Sequence, residues 1–397
     1  MALFGPTASV YFGVNLLVHM VVATLAGLFA FRLSQSRLAG WFAVVLVAFA
    51  GGAYEPLIWI GSNMHSFVTL FILLALYGYW RYLETGHSRW LLVSSIGQLL
   101  AYGTKETSIV LAPLLLAVFL LRSRVTMLAR TSWRHGLFVS ATTVLAGLYV
   151  YLQFILQEGG KTFSTNRYEV GWQGFLRYPF SIADLFIPIH PLRSLLAPSS
   201  ATMLFALIVI VMIFGMYKFR HVPGFLFASA IAAFGVLPPL FFIPLSWWEP
   251  LASRYEYLPR VGASLVTALL LSYLIRHNTA RRVIHVVVVG LCIAALLQFG
   301  FMIKTLRSEY DYIYRTGRTL VEAIRTASLS SVTRVFIHPP FPFERNHAHI
   351  LGAFVVFSPV KEEHITFLSE PDVVPLDTIR ALLYWYPKGR MYEMTKD

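Results

Sequence analysis

One cysteine, Cys292, stands in the whole chain, inside an apolar run. No disulfide framework and no cysteine metal cluster can be built from it. Charge is scarce too: 13% of residues are charged, against about 25% in a soluble domain. Acid is scarcest early on. No Asp occurs before Asp184, and most of the 19 acidic residues follow Lys304. The chain has no P-loop, no dinucleotide fingerprint and no HExxH motif, so an ATP-driven pump is not expected within it. No repeat of solenoid period is present. The first ten residues lack a basic n-region, so no cleavable signal peptide is expected.

What fills the chain is oil. Hydrophobic residues make up 57% of it, and mean hydropathy is +0.65. The fold class expected is therefore an all-α polytopic membrane protein with about ten transmembrane helices. The apolar segments run near 10–31, 38–53, 64–82, 89–103, 107–121, 136–156, 201–218, 224–245, 261–275 and 283–303. The net charge of +13 does not point to nucleic acid, because much of it sits in short loops between spans. Those loops hold Arg32 and Arg37; Arg81 and Arg89; Arg122 to Arg134; Lys218 and Arg220; and Arg276 to Arg282. Short basic loops face the cytoplasm. The opposite set, Tyr54–Asn63, the Lys105–Glu106 tip, Gln157–Ser200 and Ser246–Arg260, is longer, aromatic and proline-rich. It is expected to face outward, which puts Met1 and the C-terminal region outside as well. The expected location is a bacterial inner membrane.

Three parts follow: a membrane body over 1–303, an outer loop over 157–200 with interfacial helices, and an α/β extracytoplasmic domain over 304–397. In the last part Ser308–Ala327 has helical spacing, Thr333–His338 and Ala353–Ser358 read as strands, and Thr378–Tyr386 reads as a second helix.

The candidate chemistry lies at the outer span ends. Lys105 and Glu106 sit between two runs too short to span comfortably, which suggests a helical hairpin holding an ammonium and a carboxylate over a site. Charges at membrane depth are costly and usually serve ions, protons or charged substrates. The alternative is a headgroup anchor beside a neighbouring salt bridge. Glu55 follows a soft span end and precedes Pro56 and Trp59. It is either a base for a polar acceptor or a helix N-terminal charge beside a first-turn proline. Arg254, Tyr255, Glu256 and Tyr257 precede a late span. There the guanidinium can clamp a phosphate, or snorkel among interfacial tyrosines. Asn15 and His19 share one face of the first span, where they either touch the site or bond between helices. His347 and His349, with Glu344 nearby, are a weak metal candidate without zincin spacing.

The motifs Asn15-Leu-Leu-Val-His19, Glu55-Pro-Leu-Ile-Trp59, Lys105-Glu106-Thr107 and Arg254-Tyr-Glu-Tyr257-Leu-Pro259 occur in an order and spacing that resemble the GT-C membrane glycosyltransferases. The nearest likeness is to protein O-mannosyltransferase-like members and to bacterial relatives of the tetratricopeptide-bearing membrane mannosyltransferases. The resemblance covers most of the first 120 residues and the stretch around 250–275. It implies transfer of a sugar from a polyprenyl- or dolichyl-phosphate donor to a protein or glycan acceptor at the outer face. Lys105 and Arg254 would contact the lipid phosphate, Glu55 would be the catalytic carboxylate, and Glu106, His19, Asn15, Trp59, His65, Tyr255 and Tyr257 would line the site. The resemblance implies no particular cofactor, and a divalent cation is compatible with such chemistry. The partners expected are membrane lipid, the lipid-linked sugar and its acceptor, with no nucleic acid.

The chain also departs from that pattern. Such families usually begin with a further span and an outer loop bearing a key acidic residue, for which the stretch before Asn15 has no room. Where some relatives carry Arg and an acid after the position of Trp59, Asn63 and His65 stand here. The expectation is a span and an acidic loop encoded upstream, and weak transfer by the chain as it stands. Two rival readings remain: a transporter or flippase for a lipid-linked sugar, and a non-catalytic truncated relative.

Overall fold

The computed structural model describes residues 8–49, 55–58, 62–123, 213–242, 253–277, four strands after residue 333 and scattered helical residues between 138 and 210. The described residues before the strands are almost entirely helical. The main helices are α1 (Ala8–Ser34), α2 (Arg37–Ala48), α3 (Glu55–Ile58), α4 (Met64–Thr85), α5 (Ser88–Thr104), α6 (Leu111–Ser123), α7 (Phe225–Phe242) and α8 (Tyr257–His277). A 3-10 turn, Glu106–Val110, joins α5 to α6, and another, Ser253–Glu256, leads into α8. Three helical stretches are long and apolar enough to cross a membrane: Val10–Ser34, Met64–Thr85 and Arg254–Arg276. Three apolar helices are shorter: Arg37–Ala48, Glu106–Leu121 and Phe225–Pro239. The expected span at 89–103 is α5, which is described but is not among these six, and those expected at 136–156, 201–218 and 283–303 lie largely or wholly outside the described residues.

Local chemistry sets the helix ends. Ser36 caps α2 by accepting from the Ala39 N–H at 3.3 Å, as short hydroxyl side chains do at N-termini. Gln35, at φ 52°, makes the tight link from α1. Gly86 ends α4 in the left-handed region, φ 70°, where glycine has no Cβ penalty. Pro238 and Pro239 lie inside α7. Each lacks an N–H, so the end of that helix loses two ladder bonds.

The helices are apolar on both inward and outward faces. Phe29, Ile72, Leu76, Tyr79 and Phe227 are fully buried. Phe29 and Phe227 meet at 5.7 Å between ring centroids. Outside, Leu16, Leu17 and Met20 on α1, Trp41 and Val45 on α2, and Leu92, Ile96 and Leu99 on α5 are exposed. A helix apolar all round suits hydrocarbon rather than water.

Glycines bring several helix pairs into close contact, α1 and α2 among them through Gly27 and Gly40. A Cβ on Gly97 would lie 2.8 Å from the Ala75 backbone nitrogen, and one on Gly78 would lie 2.7 Å from the Ser94 nitrogen. Such small-residue contacts let membrane helices approach backbone to backbone. On α8, Gly262 presses in the same way against Ala232 of α7. Gly97→Leu is expected to cost about 3 kcal/mol, the upper end of overpacking, because the obstacle is backbone and cannot swing aside. Thermal unfolding in mild detergent would check this, and an unchanged midpoint would contradict it.

By internal contacts the chain divides into Met1–Met302 and Ile303–Asp397. The second unit holds a four-stranded sheet in the order β2-β1-β3-β4. Its strands are β1 (Arg334–His338), β2 (Ile365–Phe367), β3 (Ala381–Trp385) and β4 (Arg390–Met394). β1 pairs in parallel with both β2 and β3, and β3 pairs antiparallel with β4. Thus Ala381–Trp385, within the helix expected over Thr378–Tyr386, is instead a strand. Ala381–Trp385 is a short continuous apolar run, which periodicity alone cannot assign, and pairing on both sides decides it. The expected strand at Ala353–Ser358 and the expected helix at Ser308–Ala327 lie outside the described residues.

Candidate functional site

Residues far apart in sequence meet at one end of the helical body. α1 contributes Asn15, which is fully buried, and its Nδ2 donates to the Leu57 carbonyl of α3 at 3.3 Å. One turn on, His19 Nδ1 lies 2.6 Å from the Tyr257 hydroxyl at the start of α8. Its Nε2 lies 3.2 Å from the Ala48 carbonyl at the end of α2. A carbonyl only accepts, so Nε2 donates there. In the neutral ring Nδ1 then accepts from Tyr257. His19 therefore ties α1, α2 and α8 together. The bonding between helices expected as the alternative for this pair is present.

Tyr257 corrects one expectation. It is 2% exposed, so it belongs to the core rather than to an interfacial belt. A phenol at that depth needs a partner, and His19 supplies it.

Lys105 ends α5 in an extended conformation, φ −160° and ψ 148°. Its Nζ lies 3.0 Å from Glu106 Oε1 and 4.0 Å from Met64 Sδ. The Lys105 side chain is 12% exposed and that of Glu106 48%. The neighbouring salt bridge is thus real, with the ammonium inside and the carboxylate outside. The run expected as a helix from 107 begins as a 3-10 turn up to Val110.

The residue after Met64 is His65, which is 6% exposed. Its ring meets that of Tyr255 edge-on at 5.1 Å. The Arg254 guanidinium lies over the Tyr255 ring at 4.9 Å, a cation–π distance. Arg254 is thus linked to the His65 ring through Tyr255, and Lys105 reaches Met64, the residue before it.

Glu55 opens α3, which packs against α1, α4 and the turn before α8. Its backbone thus belongs to the same end, while its side chain lies outside the described residues, as does Trp59. No family model, no curated protein and no solved structure matches the chain. The likeness to GT-C enzymes therefore rests on the sequence motifs alone.

Several contributors were not singled out from sequence. Arg260 donates to Glu256 Oε2 through Nε at 2.9 Å and Nη2 at 2.6 Å, with both side chains largely buried. The i, i+4 spacing of the two was the available signal. Ser62 and Ser108 are buried, and among the described residues their hydroxyls have no hydrogen-bond partner, nor has Asn15 Oδ1. Such orphans are rare in folded proteins. From the expected outer loop, Ile182 and Leu185 pack with Ala232, Val236 and Ala263, and Tyr178 sits against them. Burial pushes the Tyr178 phenol up to about 12, so it stays neutral at physiological pH. Trp172, Phe175 and Phe180 of that loop lie outside the described residues, as do Glu344, His347 and His349. Among the described residues no cluster of His, Cys, Asp and Glu is arranged to hold a metal ion.

The opposite end of the body gathers basic residues. Arg276 Nη2 reaches the Gln35 carbonyl at 3.5 Å, Ser36 Oγ bonds Ser272 Oγ at 2.7 Å, and His221 Nε2 lies 3.0 Å from the Tyr273 hydroxyl. Arg81 pairs with Glu84 at 2.8 Å and lies over Trp90 at 5.2 Å. The body is thus polar at two ends of different character, joined by oil.

Proposed function

We propose that this chain is a membrane glycosyltransferase that moves a sugar from a polyprenyl- or dolichyl-phosphate donor to a protein or glycan acceptor at the outer membrane face. The observation that supports it is that α3, the turn that begins with Glu55, packs against α1, the head of α4 and the turn carrying Arg254, while Lys105 reaches Met64 at that head. In this reading the chain crosses a bacterial inner membrane about ten times, and the Ile303–Asp397 unit lies outside. Lys105 and Arg254 hold the lipid phosphate, whose negative charge grows as it leaves. Charge-assisted bonds in partly dry surroundings are strong enough for that task. Glu55 takes the proton from the acceptor hydroxyl as the new glycosidic bond forms. Envelope glycans or exported proteins supply the acceptor.

A carrier of lipid-linked sugars is the second reading. It is favoured by the state of the nearby carboxylates: Glu106 and Glu256 are each paired with a cation, so Glu55 alone would have to supply the base. The deciding experiment is incubation of purified protein in vesicles with radiolabelled polyprenyl-phosphate hexose and a peptide or glycan acceptor. Label in the acceptor supports the transferase. Translocated but intact donor supports the carrier.

The orientation has its own test. Reporter fusions after residues 32, 130 and 280 are expected to report the cytoplasm, and fusions after residues 180 and 397 the outer side, because the short basic loops belong inside. A cytoplasmic signal at 397 would remove both the topology and the outward-facing donor site.

A further inference from the structure

His65 has an environment that packing alone does not explain. It is 6% exposed, and among the described residues no hydrogen bond to its ring is present. An imidazole has two polar nitrogens, each able to hydrogen-bond. Its neighbours are not apolar filler. Lys105 touches Met64, the residue before it, at 4.0 Å. Tyr255 meets its ring at 5.1 Å and carries Arg254 on its own face at 4.9 Å. Arg254 is thus one ring away from the imidazole, and Lys105 reaches the residue beside it in the chain.

The unbonded hydroxyls lie close in the chain to the same groups. Ser62 stands three residues before His65, and Ser108 stands three after Lys105, with its backbone N–H on the Lys105 carbonyl at 3.0 Å. Both hydroxyls are buried, without a partner among the described residues. An imidazole, two hydroxyls and two cations share one requirement. All can donate to an oxygen-rich anion, and a phosphate offers several acceptor oxygens at once.

We propose that His65 is a phosphate-positioning residue, donating a hydrogen bond to a phosphoester oxygen held between Lys105 and Arg254, with Ser108 and Ser62 bonding the remaining oxygens. This rests on the lipid-phosphate reading above and extends it. The cations supply attraction, and the neutral donors supply direction. A point charge such as the Lys105 ammonium tolerates many anion shapes, so shape selection falls to His65 and the serines. The site should therefore prefer a tetrahedral phosphoester to a planar carboxylate of equal lipid length.

The test uses the full chain in nanodiscs and three probes: undecaprenyl phosphate, inorganic phosphate and a polyprenyl carboxylate. Binding is measured for wild type, His65→Phe, His65→Gln and Ser108→Ala. His65→Phe should weaken undecaprenyl phosphate about tenfold or more, the cost of one charge-assisted bond. His65→Gln, which keeps a donor, should recover most of the loss. Ser108→Ala is the milder substitution should the phenylalanine fail to fold, and it should weaken binding several-fold. Preference for phosphate over carboxylate should shrink in each weakened variant. Undecaprenyl phosphate bound equally by wild type, His65→Phe and Ser108→Ala would overturn the inference while leaving the lipid-donor reading intact. Binding of inorganic phosphate but not of undecaprenyl phosphate, still dependent on His65, would uphold the positioning role and sink the lipid donor. Binding of neither phosphate probe by wild type would overturn both.

Discussion

Glu256→Ala is expected to destabilise the helical body by about 3–5 kcal/mol, the range for breaking a buried ion pair from one side. The substitution leaves the Arg260 guanidinium, whose side chain is 13% exposed, without the carboxylate that accepts two of its N–H groups. The pair sits at the start of α8, between the turn carrying Arg254 and the Gly262 contact with α7. Its loss should loosen the candidate site as well as the bundle. Thermal unfolding in detergent reads the first effect. The double variant Glu256→Leu, Arg260→Met should regain most of the stability, because removing both charges avoids an uncompensated ion. A single variant that melts with wild type would show the pair to be solvated in practice.

Glu55→Gln is expected to abolish sugar transfer and leave donor binding in place. Loss of a general base lowers turnover by about 100- to 10,000-fold, and an amide of the same shape cannot accept the acceptor's proton. Lys105→Ala is expected to act differently. It should weaken donor binding and lower kcat as well, since in the proposed mechanism the ammonium faces the phosphate both before and after its negative charge grows. Lys161→Ala, a change in the outer loop, serves as the comparison and should leave donor use near wild type. Transfer at wild-type rate by Glu55→Gln would take Glu55 out of the reaction.

Much of the helical layout was readable because oil and punctuation are strong signals. The segment expected at 64–82 is α4, Met64–Thr85, and that at 89–103 is α5, Ser88–Thr104. Gly86 between them is the kind of stop that sequence announces. The strand Ala381–Trp385 was missed because five apolar residues suit a buried strand and a helix equally. The hairpin cue lay just beyond, in Tyr386-Pro-Lys-Gly389, whose Pro and Gly mark a turn. At the site, the residue types were visible and their partners were not. Nothing local says that His19 will meet Tyr257, 238 positions away, since that depends on how three helices cross. Nor does sequence tell whether Lys105 faces a ligand, a headgroup or its neighbour. Here the neighbour Glu106 takes one side of the ammonium and Met64 the other.

The glycine contacts have a mechanical consequence. α4 and α5 touch backbone to backbone through Gly78 and Gly97, and α7 and α8 do so through Gly262. Each pair behaves as one stiff plank, because no side chains lie between the backbones to be compressed or sheared. His65 and the Lys105 end of α5 ride on the first plank, and Tyr257 and the turn with Arg254 ride on the second. Widening the gap between the two cations therefore calls for slippage along the joint between planks, where α8 meets α4. A disulfide across that joint should freeze the site's width, whereas one within a plank should change nothing.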